Sequence, residues 1–276
     1  MKPAKFDYAK SKSLSEALIA LSGVDSYVKV LAGSQSLGPM MNLRLVQPDR
    51  LIDIRGLEPL RQIERRKDHL FVGALVTHAE IEDGRLPDVT AGMLEHVAGG
   101  IGYRAVRNRG TIGGSLVHAD PAGDWPAALR ALAAMVEIEG PDGRRVMAIN
   151  AFQLGAFTVA LEENEIVLGI RIPISSSTLR WGYQKICRKP GEFAESIGVF
   201  VNDSETSAAQ LVLGATNGAP LELSEAAASV SASKGIGFDI DAAREVIMDS
   251  GETFEPFELR MHAIALHRAV EHAFGE

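Results

Sequence analysis

The amino-acid sequence points to an α+β fold, and three observations carry that reading. In the C-terminal third, strand-like runs at 181–188, 197–202 and 208–215 precede helical patterns at about 224–233, 241–250 and 257–274. Strands followed by helices is the order of a small α+β unit. Nearer the N-terminus, short β-rich runs alternate with short helical segments opened by capping-box spacings. Residues 135–139 and 145–149 flank Pro141, Asp142 and Gly143, which reads as a hairpin.

Taken in order, residues 13–22 form a helix, with Ser13 and Glu16 at the capping-box spacing. YVKVL at 27–31 is a strand. It runs into Ala32-Gly33-Ser34-Gln35-Ser36-Leu37-Gly38-Pro39, a loop with two glycines, two hydroxyls and an amide. No Gly-Lys-Ser/Thr follows, so this is not a P-loop. G-x-G-x-x-G is absent, so it is not the Rossmann fingerprint. By itself it reads as a strand-to-helix turn. Strands follow at 50–54 and 70–75, then a second capping-box spacing at Thr77 and Glu80, then a helix at 89–98. Residues 125–133 are helical, with Pro126 in the first turn, where proline is tolerated. The polar run 173–178 marks a boundary before the C-terminal strands.

The stretch 107–124 reads RNRGTIGGSLVHADPAGD. Glycine lets backbone approach a ligand closely, and successive N–H groups in such a turn form a concavity for anions. Thr111 and Ser115 add hydroxyls, and Asp120 and Asp124 can accept hydrogen bonds from sugar-like hydroxyls. Two surface turns between strands would read the same way, and both readings stand on these residues alone.

Composition narrows the classes. With 276 residues, 46% hydrophobic and 23% charged, the chain has material for one large domain or two to three small ones. A net charge of −8 argues against a general nucleic-acid or anionic-membrane binder. A single cysteine, Cys187, permits no intrachain disulfide, and iron–sulfur clusters use about four thiolates. The N-terminus lacks the apolar core of a signal peptide, and no run approaches the ~18 apolar residues of a membrane span. A cytoplasmic location is the expectation.

Several sharper patterns lose to plainer ones. Ser115, His118 and Asp120 are crowded together, whereas hydrolase triads assemble from separate segments. His262, His267 and His272 recur every five residues, which rotates neighbours by about 140° on a helix and does not converge on a metal. Cys187 reads as a small buried hydrophobe. Arg107 and Arg109 either offset phosphate charge or are solvated.

Together, the two glycine-hydroxyl loops have a recognisable wording. AGSQSLGPMMNLRL at 32–45 with PDRLIDI at 48–54, and RNRGTIGGSLVHADPAGD at 107–124, resemble the FAD-binding medium subunit of molybdenum hydroxylases, the flavoprotein subunit of the carbon monoxide dehydrogenase and xanthine dehydrogenase family. FDY at 6–8, EIVLGIRIP at 165–173 and YQKICRKPGEFA at 183–194 fit the same pattern, so the resemblance runs through the whole chain in order.

That resemblance implies a two-part FAD-binding PCMH-type, vanillyl-alcohol-oxidase-like domain over 1–176, with subdomains of about 1–58 and 59–176. A C-terminal domain over 177–276 follows, with a three-stranded antiparallel sheet and a helical bundle. It implies that Leu31, Ala32, Gly33, Ser34, Gln35, Ser36, Leu37 and Gly38 wrap the FAD pyrophosphate. Thr111, Ile112, Gly113, Gly114 and Ser115 would lie against the cofactor's other side, and Asp124 would hydrogen-bond the flavin nucleotide. Ile101, Val167 and Leu168 would pack against it, and Lys185 would stand close to the isoalloxazine ring. The family's first loop commonly reads A-G-G, and here Ser34 takes the third place; if φ is positive there, serine costs energy.

No acid–base catalytic residue and no metal site is implied for this chain. The implied role is electron transfer in a heterotrimer, the implied partners being a molybdopterin-binding large subunit and a [2Fe–2S] small subunit as a dimer of heterotrimers, with an external electron acceptor. Two other readings are a free-standing flavin oxidase or dehydrogenase on the same scaffold and a non-enzymatic nucleotide-binding assembly protein.

Overall fold

A small parallel sheet opens the chain. The computed structural model describes residues 2–22 and 26–275. Strands β1 (Asp7–Lys10), β2 (Val28–Leu31) and β3 (Arg50–Asp53) lie in the order β1-β3-β2, both pairs parallel. Parallel neighbours need crossovers; helices α1 (Leu14–Leu21) and α2 (Leu37–Asn42) lie in the two connections. Ser13 caps α1 by accepting from the Glu16 N–H, while the Glu16 carboxylate reaches one residue further back, to the Lys12 N–H at 2.8 Å. Ala17, Ile52, Ile54, Leu57 and Leu60 make a core that also takes in Leu75 and, from the next sheet, Ile166 and Leu168.

The second sheet is antiparallel and five-stranded. Its members are β4 (Ile63–Arg65), β5 (His69–Gly73), β6 (Met135–Gly140), β7 (Gly143–Ala148) and, after the small hairpin β8 (Gln153–Gly155) and β9 (Thr158–Val159), β10 (Ile166–Pro173). The spatial order is β4-β5-β10-β6-β7. The β6–β7 hairpin forms where the turn residues predict it, with Gly143 at φ +97°. A bulge at Leu168 breaks the register between Val167 and Gly169. It shifts the alternation so that Val167, Ile170 and Ile172 share one core while Ile166 and Leu168 enter the other.

Between β5 and β6 the chain is helical: α3 (His78–Glu82), α4 (Met93–Gly99), α5 (Arg104–Arg107), α6 (Ile112–His118) and α7 (Asp124–Ala131), with a single turn α8 (Ile149–Phe152) after β7. Both halves of the Thr77–Glu80 capping box are present. The helix expected from residue 89 begins only at Met93. Asp88 Oδ1 accepts from the N–H groups of Thr90 and Gly92, and Ala91 and Gly92 take positive φ, so residues 88–92 are a turn. The glycine-rich stretch, read from sequence as turns or a ligand loop, begins at the last residue of α5 and contains α6.

The C-terminal sheet has β11 (Leu179–Ile186), β12 (Ser196–Asp203), β13 (Ala208–Gly214) and β14 (Leu221–Glu222), all antiparallel. The expected three strands are therefore joined by a fourth of two residues, too short to leave a period-2 signal. Helices α9 (Ser224–Ser233), α10 (Ile240–Asp249) and α11 (Pro256–Phe274) follow where their patterns place them.

This sheet is covered on both faces. Every residue of β12 is buried; Ile197, Val199 and Val201 pack into the core shared with α7, and Phe200 into the core shared with α11. Helix α7 is correspondingly buried all round, with the C-terminal sheet on one side and α4, α6 and α8 around it. Close approach of α11 depends on two glycines: a Cβ at Gly182 would sit 1.8 Å from the Ala269 carbonyl oxygen, and one at Gly198 2.3 Å from that of Ala265. Gly198→Ala should therefore push α11 off the sheet and cost about 1–3 kcal/mol. Gly218→Ala, with nothing within 4 Å, should stay within about 0.5 kcal/mol of wild type, both read from denaturant unfolding.

Candidate functional site

The first loop leaves its backbone donors unpaired. After β2 ends at Leu31, Ser34 turns the chain with φ +64°, the left-handed region that favours glycine. The departure from A-G-G thus falls at a position that does require positive φ. Carbonyls of this loop are used: Gly38 N–H donates to Ser34 at 3.2 Å and Met40 N–H to Ser36 at 3.1 Å. Among the described residues, nothing accepts from the N–H groups of Gly33, Ser34, Gln35, Ser36 or Leu37. A row of free amides around a left-handed residue is a concave anion site, and such donors are satisfied by water or a ligand.

The second stretch is different. Its amides are used inside the fold: Ile112 N–H donates to Val76 and Gly113 N–H to Ala74, both at 3.0 Å, Gly114 N–H to Thr111 Oγ1 at 3.1 Å, and Ser115 N–H to the Thr111 carbonyl at 3.0 Å. What the glycines provide here is proximity. A Cβ at Gly113 would lie 2.5 Å from that of Ala74, and one at Gly114 2.9 Å from Thr111 Oγ1 and 3.8 Å from the Ala32 Cβ. At Gly33 a Cβ would stand 2.1 Å from the Arg109 carbonyl oxygen and 2.9 Å from Gly110 Cα. The two loops, far apart in sequence, are in contact.

Behind them lies a buried polar cluster. Asp124, in the first turn of α7 and 5% exposed, accepts from the Tyr183 hydroxyl at 2.7 Å and from Lys185 Nζ at 3.0 Å. Burial pushes its carboxyl up, and the Lys185 charge opposes this. Lys185 Nζ also faces the Gly100 carbonyl at 3.4 Å, so Ile101, Asp124 and Lys185 converge on one region. Val167 and Leu168 sit in the two cores instead. Leu168 still connects to the second loop, because Ala74 donates to its carbonyl at 2.9 Å and accepts from Gly113.

The arginines divide. Arg107 is held by Glu82, at 2.8 Å from both Nε and Nη2, and by the carbonyls of Ile101 and Gly102. Arg109 is exposed and has no ion pair among the described residues. His118 Nε2 is 3.9 Å from Asp120 Oδ2, too far for a hydrogen bond. His262 bonds Ser196, His267 bonds the Phe238 carbonyl, and His272 packs on Trp181. Among the described residues, no group of three or more His, Cys, Asp or Glu could hold a metal. Cys187, expected to be buried, is half-buried just past β11, where the strand has ended.

Sequence reasoning missed two residues. Tyr183 was recoverable, because it lies two before Lys185 and so shares its strand face. His78 was not, since its partner is remote: its Nδ1 accepts from Trp125 Nε1 at 3.1 Å. Its ring also blocks any side chain at Gly110, whose Cβ would lie 2.9 Å away. Burial, aided by the Arg107 charge, lowers the His78 pKa to about 4.

Residues 4–175 match the family model described as the FAD binding domain in molybdopterin dehydrogenase. The chain belongs to this family. It is 37% identical over 224 residues to the carbon monoxide dehydrogenase medium chain of Hydrogenophaga pseudoflava, covering 81% of this chain and 78% of that one. It is 34% identical to the nicotine 6-hydroxylase medium subunit of Paenarthrobacter nicotinovorans, covering 79% and 77%. Among solved structures, carbon monoxide dehydrogenase from Hydrogenophaga pseudoflava, in a form lacking the Mo-pyranopterin moiety of its cofactor, superposes with a TM-score of 0.85 at 30% identity over 99% of both chains.

The cofactor of this medium subunit is FAD, and the chain is part of an oxidoreductase. The residues present fit that cofactor: a diphosphate needs several donors converging without side-chain bulk, and the free amides of 33–37 supply them.

Gly33→Ala should force the loops apart and abolish FAD retention, measured by flavin absorbance per chain, while far-UV circular dichroism stays native. The neutral His78 also makes stability pH-dependent. Its folded pKa lies below the unfolded value, so the unfolded chain binds more protons between these two values. Stability should then fall as pH drops from about 6.5 to about 4, by up to about 3 kcal/mol from this residue. His78→Gln should remove that component from the unfolding free energy.

Proposed function

We propose that this chain is the electron-transfer flavoprotein subunit of a molybdenum hydroxylase, standing between the [2Fe–2S] clusters of a small partner and an external electron acceptor. A molybdopterin-binding large subunit would oxidise the organic substrate, and the complex would be a cytoplasmic dimer of heterotrimers. The reading treats 1–176 as the FAD-binding domain and 177–276 as the C-terminal domain. The single observation that carries it is the row of unpaired amides at 33–37, closed over by the second loop through Gly33. The naming of relatives as medium chains and medium subunits supports partners of other sizes. No helix among the described residues is long and apolar enough to cross a membrane.

FAD, when bound, supplies the redox chemistry; the chain binds, orients and tunes. Residues 31–38 would hold the pyrophosphate through backbone N–H groups, with Ser34 and Ser36 adding hydroxyls. Thr111 to Ser115 would form the opposite wall, contributing shape and side-chain hydroxyls. Asp124 has spare lone pairs beyond its bonds to Tyr183 and Lys185, enough to accept from the cofactor's hydroxyls. Ile101 would give apolar contact, and Val167 and Leu168 would back the wall. Lys185 would place positive charge near the reduced flavin.

Purification at native expression should give a yellow complex with a larger and a smaller partner, iron and molybdenum. A colourless chain that takes up no FAD and copurifies alone would overturn the proposal. Lys185→Ala should retain FAD but lower its midpoint potential, because the reduced flavin loses a nearby cation; redox titration of the bound flavin reads this directly.

A further inference from the structure

Tyr183 and Lys185 point the same way from β11 and grip the two oxygens of one carboxylate. The Tyr183 hydroxyl donates to Asp124 Oδ1 at 2.7 Å and Lys185 Nζ to Oδ2 at 3.0 Å. All three are enclosed: Asp124 is 5% exposed, Tyr183 7%, and the Lys185 side chain 11%. An ammonium so enclosed needs a counter-charge. Among the described residues, Asp124 is the one carboxylate paired with Lys185. Packing alone would be met by phenylalanine at 183; the hydroxyl's contribution is its bond to Asp124.

The geometry points to Tyr183 as a positioning residue: by holding Asp124 ionised and turned onto Lys185, it keeps the lysine's charge compensated and so limits how strongly the site favours reduced over oxidised FAD. This rests on the reading that Lys185 stands beside the flavin. Burial pushes the Asp124 carboxyl up, against which the Lys185 charge and the Tyr183 hydrogen bond both act. Burial and the Asp124 charge push the Tyr183 phenol well up, so it stays a donor. The other titratable groups facing Tyr183 are His96 of α4, its ring edge-on at 5.9 Å, and Cys187 beyond the end of β11. Neither hydrogen-bonds Asp124.

Without the phenol donor, the buried carboxylate loses a charge-assisted hydrogen bond and takes up a proton more readily. With Asp124 neutral, the counter-charge that Lys185 needs is supplied by the more negative reduced flavin, which is thereby favoured over the oxidised form. The same would follow from removing the carboxylate, and in that case Tyr183 has nothing left to act on.

The test is redox titration of the FAD-loaded chain in its complex, with flavin content measured alongside. Tyr183→Phe is expected to retain FAD and raise the midpoint, with reduced FAD held about tenfold tighter relative to oxidised, ~30 mV for a two-electron couple. Asp124→Asn should shift the midpoint the same way, and adding Tyr183→Phe to it should change nothing further. Site-specific 3-fluorotyrosine at position 183, a stronger donor of the same shape, should move the midpoint down; it decides the matter if phenylalanine at 183 does not fold. An unmoved or lowered midpoint in Tyr183→Phe with FAD retained overturns this inference alone, as does a Tyr183→Phe shift that persists in the Asp124→Asn background. Wild-type protein that takes up no FAD overturns the underlying reading and this inference with it.

Discussion

The missing side chain at Gly33 is the constraint on which the site depends. A Cβ there would stand 2.1 Å from the Arg109 carbonyl oxygen, closer than two non-bonded heavy atoms can come. Because it is absent, the loop after β2 closes against the turn before α6. This contact joins the two loops, and the amides of 33–37 have no partners among the described residues. Unpaired donors are costly unless something accepts from them. With residues 34–37 partly exposed, these amides are satisfied by water or by a ligand, and an anion can meet several of them at once; Ser34 in the left-handed region is the strained residue of the loop.

The rest of the molecule reads as support for that contact. Leu168 accepts from Ala74, and Ala74 accepts from Gly113, so the bulged strand β10 holds the backbone of the second loop. His78 fills the space under Gly110 and is itself fixed by Trp125 of α7. Helix α7 packs on the C-terminal sheet and against α4, α6 and α8, inside a core that also takes residues of the five-stranded sheet. It carries Asp124 in its first turn, and β11 brings Tyr183 and Lys185 to meet it. The second loop and the polar cluster are thus tied to one buried helix, a rigid mounting of the kind that functional constellations need.

Local signals made much of this legible. The Thr77–Glu80 box, the Gly143 hairpin and the three C-terminal helices follow from short-range chemistry. Two loops with family-like wording point to FAD from the sequence alone. What stayed hidden depends on distant partners. Helix α6 forms through Ile112-Gly113-Gly114, a poor helix sequence, because Val76 and Ala74 take two of its orphan amide donors. Arg107 reads in sequence as either offsetting phosphate charge or solvated, yet Glu82 and two carbonyls claim its guanidinium. The division of labour between the loops, one donating amides and the other giving shape, is invisible in residue types, since both are glycine and hydroxyl. Only the hydrogen-bond partners separate them.

That division can be measured by amide hydrogen exchange on the chain with and without FAD. The account predicts that 33–37 exchange rapidly without cofactor and become protected when it binds. Residues 112–115, already bonded to Val76, Ala74 and Thr111, should be protected in both states. Protection that appears on FAD binding at 112–115 while 33–37 remain unchanged would contradict it.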